Sequence, residues 1–268
     1  TKLCGTYTSG GDNPNFQTIN DAVSVLTNAG VTCPVIFKVR NGTYLEQIEI
    51  NPTPGSSATN TVTFESESGD SSQVLIYSQT APNSTIWFDG AKNLIFNKIG
   101  VKQGYNGNGA ITVANGSDNI IISNCVLSAS WGYGLGILVE NSSSIDIQGC
   151  LFHEGSSMGY GISLSNASYI NIFKNKVQSF GWGVLSGGGS LQNIHINDNE
   201  VTGGNFALNY TGDNIFITSN KLKGSSINVN SNGSGGICHI EGNRISTSIS
   251  SGIVLNTQNC LVANNYIT

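Results

Sequence analysis

The amino-acid sequence predicts an all-β fold, a right-handed single-stranded parallel β-helix with a short helix that caps its N-terminal end. Three observations support this prediction: a hydrophobic motif recurs every 21–26 residues, each copy alternates with period two, and no copy leaves room for a crossover helix. A repeat of this length is typical of a solenoid. One position of the motif is occupied by Leu94, Ile120, Ile145, Ile170, Ile194, Ile215, Cys238 and Cys260.

Each copy begins with two apolar residues separated by an outward one, followed by a turn; residues 194–201 are a clear example. Period-two alternation predicts a short strand whose first and third side chains point inward. A second alternating run follows in most copies, as at residues 252–255. Each coil must then rise by about one strand spacing, roughly 4.8 Å. We expect a right-handed coil because parallel crossovers almost always have that hand.

The inward position that follows the turn is asparagine in five consecutive copies. An unpartnered buried amide costs about 1–3 kcal/mol, so we expect these side chains to stack and to satisfy one another and the backbone. The five asparagines are Asn175, Asn199, Asn220, Asn243 and Asn265, and the preceding copies carry Ile99, Cys125 and Cys150.

The repeat indicates one domain over residues 1–268. Residues 1–33 are predicted to form the N-terminal cap, with an amphipathic helix near residues 16–28. Irregular first coils are expected at residues 34–92, and regular coils of 21–26 residues at 93–268. The last residues fall inside an eighth repeat, from which we expect a fragment of a longer protein.

Composition excludes several classes of function. Charged residues make up only 10% of the chain, and the net charge is −5 with eleven dispersed basic residues. A nucleic-acid binder would show a dense positive stripe, so nucleic acid is not an expected partner. The sequence contains no apolar run near the roughly 20 residues of a transmembrane helix, so we expect no membrane insertion.

The cysteines support two interpretations. Three disulfides would indicate an oxidising, extracellular setting, and we expect a secreted or cell-surface protein on that ground. Alternatively, cysteines stacked in neighbouring coils are free thiols that serve as small core residues. The possible disulfides join Cys4 to Cys33, Cys125 to Cys150, and Cys238 to Cys260.

The N-terminal part resembles the pectate-lyase-like right-handed β-helix superfamily. The resemblance rests on a glycine-rich start, the segment FQTINDA at residues 16–22, and VIFKVRNGTYLEQI at residues 35–48. Together with ATNTVTF at residues 58–64, these segments are similar to secreted, multidomain surface proteins of Bacteroidetes bacteria. Superfamily members include lyases, hydrolases, esterases and non-catalytic adhesins, so the resemblance implies the fold and leaves the reaction open.

The sequence departs from the enzymes of that superfamily. A calcium-dependent pectate lyase needs an acidic cluster beside a basic residue, and a polygalacturonase-type hydrolase needs adjacent aspartates. Neither cluster is evident, and the arginines that an esterase-type site would require are limited to Arg40 and Arg244. No cofactor is predicted, and calcium, which the fold accommodates in relatives, has no clear site.

Outward positions of the motif strand align titratable side chains on one ridge. Asp146, His195, His239 and Glu241 are the candidate catalytic residues of a carbohydrate-active enzyme; a polysaccharide lyase is favoured, and a glycoside hydrolase is the alternative. The two histidines are two coils apart, roughly 9–10 Å, which is too wide for a shared metal or a preformed acid–base pair. The alternative interpretation is a solvated face with occasional ring stacking.

A second candidate site consists of aromatic residues in glycine-flanked loops of consecutive copies. Exposed rings along a rigid ladder suit the apolar faces of sugar rings. Alternatively, the rings turn inward and fill the corners of the coil. The candidate carbohydrate-binding residues are Tyr105, Trp131, Tyr133, Tyr160, Trp182 and Phe206.

Three functions follow from these candidate sites. The first is a secreted or cell-surface module that binds polysaccharide or another surface glycan without chemistry and belongs to a larger polypeptide. The second is the carbohydrate-active enzyme described above. The third is a rigid structural spacer of an adhesin.

Overall fold

The computed structural model shows a parallel β-helix with one α-helix at its N-terminal end. All pairings between the described strands are parallel. The structure describes residues 1–79, 84–104, 109–129, 134–153, 159–178, 181–231, 236–247, 251–257 and 259–268.

Each complete coil has three faces. The first face contains the motif strand of the repeat, the second face follows the asparagine position, and the third face precedes the next motif strand. The strands that lie only on the first face are β1 (Leu3–Ser9), β2 (Val31–Val39), β5 (Val62–Ser66), β8 (Lys92–Asn97), β11 (Asp118–Ser123), β22 (Cys238–Glu241) and β25 (Cys260–Ala263).

The second face is a separate sheet of short strands. Its strands are β3 (Gly42–Tyr44), β6 (Val74–Ser78), β9 (Gly100–Gln103), β12 (Val126–Ala129), β14 (Leu151–His153), β16 (Lys176–Gln178), β18 (Glu200–Thr202), β20 (Lys221–Lys223), β23 (Arg244–Ser246) and β26 (Tyr266–Ile267).

The third face joins the first face through four long strands that bend from one face to the other. These are β13 (Leu135–Gln148), β15 (Tyr160–Phe173), β17 (Trp182–Asn197) and β19 (Asn205–Thr218). The strands that lie only on the third face are β4 (Ile48–Ile50), β7 (Ile86–Asp89), β10 (Ile111–Ala114), β21 (Ile227–Ser231) and β24 (Ile253–Asn256).

The register agrees with the sequence repeat. Leu94 pairs with Ile120, which pairs with Ile145, and the same column continues through to Cys238 and Cys260. In strand β5 buried and half-buried residues alternate along the whole length, as a strand with one inward face requires. The predicted all-β solenoid is therefore confirmed.

The helix α1 (Ile19–Ala29) lies against β1, β2 and β4 at the N-terminal end. Thr18 is its N-cap and forms a capping box with Asp21, so the helix begins three residues after the position expected from apolar spacing. Its apolar face is buried through residues such as Leu26. Strand β1 was not predicted: the sequence placed residues 1–33 in a cap, whereas Leu3–Ser9 pairs with β2 as an additional rung.

The interior is a continuous apolar column. Aromatic rings fill it near the N-terminal end, where Phe37 and Phe64 stack with ring centroids 4.6 Å apart. No helix within the described residues is long and apolar enough to cross a membrane.

Candidate functional site

The corner between the first and second faces is built by a pair of residues that recurs in each coil. The residue before the ladder position has a positive φ, for example 56° at Lys174, 56° at Asp198 and 58° at Ser219. This left-handed residue turns the chain sharply. The next residue, Asn175, Asn199 or Asn220, therefore points into the core.

The predicted asparagine ladder is present. The Oδ1 atom of Asn199 accepts hydrogen bonds from the backbone N–H of Asn175 at 2.9 Å and from its Nδ2 at 3.1 Å. The Nδ2 of Asn199 donates to the carbonyl oxygen of Ile172 at 2.8 Å and to Oδ1 of Asn220 at 3.0 Å. The same pattern continues through Asn243 to Asn265. The ladder amides are saturated by the fold itself, so their role is structural.

The cysteines divide between the two interpretations. Disulfides join Cys4 to Cys33 and Cys238 to Cys260. Cys125 and Cys150 are free and buried on neighbouring rungs below the ladder, so the disulfide expectation is wrong for this pair. Burial raises the pKa of the Cys150 thiol, and the neighbouring thiol of Cys125 raises it further. These two side chains are core residues.

The titratable candidates on the first face are aligned as predicted but do not converge. Asp146 accepts a hydrogen bond from Nδ2 of Asn171 at 2.7 Å, and Asn171 is the rung between Asp146 and His195. Glu241 is exposed and accepts a hydrogen bond from Nδ2 of Asn264 at 3.1 Å. Each carboxylate is thus engaged by an asparagine of the next rung.

The two histidines lie on either side of a phenyl ring. The imidazole of His195 stacks on Phe216 with a centroid distance of 4.6 Å and an interplanar angle of 10°, and His239 contacts the other side of Phe216 at 5.3 Å. Two strand spacings separate the imidazoles, roughly 9–10 Å. Within the described parts of the chain, no group of three or more His, Cys, Asp or Glu side chains is suitable for holding a metal ion.

The aromatic candidates have different outcomes. Tyr105, Trp131 and Tyr133 lie outside the described residues. Phe206 is fully buried, so its predicted contact with a carbohydrate is wrong. Its position in β19 pairs with Val184 and Ile227, which are inward residues of the third face.

The two remaining aromatic candidates lie together on the surface. Tyr160 and Trp182 are both half-buried and pair in register at the start of the third face. They occupy neighbouring rungs, so their Cα atoms are about 4.8 Å apart. Among the aromatic candidates that the structure describes, Tyr160 and Trp182 are therefore the two that lie at the surface.

Trp182 lines a groove of about 360 Å³ on the third face. The other residues of this groove are not evident in the sequence, because they lie on third-face strands whose register depends on the length of the preceding loops. The residues that line the groove with Trp182 are Ala207, Leu208, Asn209, Asn228, Val229, Asn230, Val254 and Asn256.

Asparagines make up the polar part of the groove. Asn209, Asn230 and Asn256 are exposed and pair in register on successive rungs, and Asn228 is half-buried beside them. None of the described residues that line the groove carries a charge. The groove therefore combines one indole ring with a column of amides, which are both hydrogen-bond donors and acceptors.

Comparisons with known proteins agree with this architecture. Residues 58–222 match the family model described as "Right handed beta helix region". Because the match covers more than half of the chain, the protein belongs to this right-handed β-helix family. The expected hand and the resemblance to the wider superfamily are therefore confirmed. None of the curated protein sequences compared with the chain matches it.

Three solved structures illustrate the likeness. The endo-xylogalacturonan hydrolase from Aspergillus tubingensis matches with a TM-score of 0.64 and 10% identity over 98% of this chain and 92% of its own. The pectin methylesterase from Aspergillus niger matches with a TM-score of 0.50 and 15% identity over 100% and 86%. The carrot pectin methylesterase has a TM-score of 0.50 and 11% identity over 98% and 88%. At these identities the likeness concerns the fold alone.

Proposed function

We propose that this β-helix binds polysaccharide without altering it chemically, and that the ligand occupies the groove of the third face. The observation that carries the proposal is the juxtaposition of Trp182 with the exposed amides of Asn209, Asn230 and Asn256. An indole ring packs against the apolar face of a pyranose, and amides bond to its hydroxyls in both directions.

The geometry of the groove suits an extended ligand. Its amides repeat at about 4.8 Å along the solenoid axis because they belong to paired strands. The backbone that holds them is a rigid parallel sheet, so little conformational entropy is lost when a ligand binds. The described residues of the groove lining are polar amides and apolar side chains, which favour recognition of hydroxyl groups over ionic groups.

The enzymatic alternative has less support. Solved neighbours are a hydrolase and esterases of pectic polymers, which favours a carbohydrate ligand in general. On the first face, however, Phe216 separates the imidazoles of His195 and His239. A general acid and base must both reach the reacting atoms, and the placement of these two rings on either side of Phe216 does not favour such a pair.

We also infer that the module acts outside the cytoplasm as part of a longer surface polypeptide. The disulfides Cys4–Cys33 and Cys238–Cys260 favour an oxidising compartment. The resemblance of the first coils to secreted, multidomain surface proteins of Bacteroidetes bacteria points the same way. An adhesive or polymer-capturing role is consistent with both.

A polysaccharide array with parallel detection of released reducing or unsaturated ends tests this proposal. We compare the wild type with Trp182→Ala and with Tyr169→Asn, which removes an aromatic side chain that is 57% exposed elsewhere and places asparagine at a φ of 56° that it tolerates. The expected result is binding without product, lost in Trp182→Ala and retained in Tyr169→Asn.

Other outcomes of the array reject the proposal in distinct ways. Release of product establishes an enzyme and directs attention to Asp146, His195, His239 and Glu241. Binding that survives Trp182→Ala places the ligand elsewhere. Silence in both detection channels favours the rigid spacer.

A further inference from the structure

Basic side chains gather on the second face near the C-terminal end of the solenoid. Lys221 and Lys223 lie on β20, and Arg244 lies on the next rung in register with Lys221. We call Lys221, Lys223 and Arg244 the basic cluster. The sequence spreads these residues over 24 positions, but the coil places three of the eleven basic residues of the chain on two adjacent rungs.

The arrangement costs stability. Lys221 and Arg244 are like charges stacked at one strand spacing, about 4.8 Å, and like charges directly opposite each other destabilise a sheet. Glu200 on the preceding rung offsets part of this repulsion through its 3.5 Å ion pair with Lys221. Within the described part of the chain, neither Lys223 nor Arg244 has a carboxylate within ion-pair distance. Lys223 and Arg244, which occupy diagonal positions on adjacent rungs, therefore have no ion-pair partner among the described residues.

Two grooves adjoin the basic cluster. Lys223 lies between two grooves. The first, of about 270 Å³, also contains Lys221, Arg244, Ser246 and Thr268. The second, of about 390 Å³, is also lined by Thr202, Gly203, Gly224, Ser246 and Thr247.

Arg244 is held in place for contact with a ligand. Its guanidinium lies over the ring of Tyr266, 5.4 Å from the centroid, which orients the planar group. A guanidinium presents paired N–H donors that match the oxygen pairs of carboxylate and sulfate groups. Lys223 adds a point charge on the neighbouring strand position.

We propose that the basic cluster binds oxyanion groups, carboxylate or sulfate, carried by an acidic polysaccharide. The site lies on a different face from the groove of Trp182, so its occupancy does not depend on the function proposed for that groove. In a chain with net charge −5, a local positive site of this kind attracts a polyanion that the rest of the surface repels.

The experiment measures the binding of dextran sulfate, polygalacturonate and neutral dextran to the wild type and to Lys223→Gln/Arg244→Gln. Lys2→Gln/Lys92→Gln is the control, because it removes the same charge from exposed positions away from the second face. Circular dichroism and thermal unfolding verify that each variant is folded. Trp182→Ala is measured in parallel.

We expect at least one polyanion to bind, with a loss of about tenfold in affinity in Lys223→Gln/Arg244→Gln and less than about twofold in the control. The affinity of the wild type should fall as the salt concentration rises from about 50 to about 300 mM, since salt screens surface charges. Binding of only dextran sulfate or only polygalacturonate identifies the oxyanion.

Equal losses in the two double variants would show that only net charge matters and would overturn the site. Binding of neutral dextran equal to that of both polyanions would also overturn it, as would a lack of binding to either polyanion. Loss of polyanion binding in Trp182→Ala but not in Lys223→Gln/Arg244→Gln would place the polyanion in the groove of the third face and would overturn the basic cluster. A failure of the groove on the third face is therefore distinguishable from a failure of the basic cluster.

Discussion

Two of the asparagine columns of this solenoid differ in the side of the strand on which they lie. The ladder of Asn175, Asn199, Asn220 and Asn243 is inside, where each side chain is at most 3% exposed. The column of Asn209, Asn230 and Asn256 is on the surface of the third face. Both columns rise one strand spacing per residue.

The difference shows how one residue type performs two tasks. An inward amide has no water, so its donors and acceptors must be satisfied by the rungs above and below, as those of Asn199 are. An outward amide on the same lattice is exposed to solvent, so its remaining hydrogen-bonding capacity is open to water or to a ligand. Stacking alone therefore does not indicate whether an asparagine column is structural or functional.

The largest expected effect tests the inward column. Replacing Asn199 with alanine removes the acceptor of two donors of Asn175. We expect the free energy of unfolding, measured by urea denaturation, to fall by about 2–5 kcal/mol. Asn230→Ala is the matched control on the outward column and should remain within about 0.5 kcal/mol of the wild type. Similar losses in the two variants would refute the distinction between the columns.

The next effect tests the outward column. Asn230→Ala/Asn256→Ala removes two amides from the groove, and isothermal titration with the polysaccharide found by the array should show about tenfold weaker binding. Asn28→Ala/Asn197→Ala, which removes two amides outside the groove, should bind as the wild type does. If the control loses as much affinity as the groove variant, the outward asparagines do not contact the ligand.

The smallest effect extends the ladder by one rung. Cys150 occupies the ladder position below Asn175, and its Sγ lies 3.7 Å from the carbonyl oxygen of Ile122. The Nδ2 of Asn175 donates to the carbonyl oxygen of Ile147. In Cys150→Asn the new amide should donate in the same way to the carbonyl oxygen of Ile122, and the free energy of unfolding in urea should rise by about 1 kcal/mol.

Cys150→Val is the control for this extension, since it fills the position without an amide. If Cys150→Asn is no more stable than Cys150→Val, packing at this rung does not accommodate the amide, and the ladder cannot be extended beyond Asn175.

Much of the fold could be predicted from the repeat. A period-two motif determines which side chains face inward and which face outward, so the sequence alone predicts that Asp146, His195 and His239 lie in one outward column. The ladder asparagines followed from the same alignment. Strand β1 was missed because it contains no copy of the motif and is recognised as a rung only through its pairing with β2.

The candidate site was less predictable. Phe206 follows a glycine-rich loop, as the other aromatic candidates do, but the loop before it is short enough for the residue to begin the inward column of β19. Pairing in register decides this, and register in the loops is not visible in the sequence. The groove of the third face was missed for the same reason, because its strands follow loops of different length and their register depends on those loops.

The sequence by itself determined the parallel coil, its inward columns and the buried asparagine ladder, because a period-two pattern repeated at each rung permits one side of every strand to be buried. Only the tertiary structure decided that Phe206 is internal and that Trp182 meets the outward asparagines. It also decided that Lys221, Lys223 and Arg244 form one cluster. These contacts join residues of different coils, and their neighbours depend on loop length and rung register, which are properties of the stacked chain.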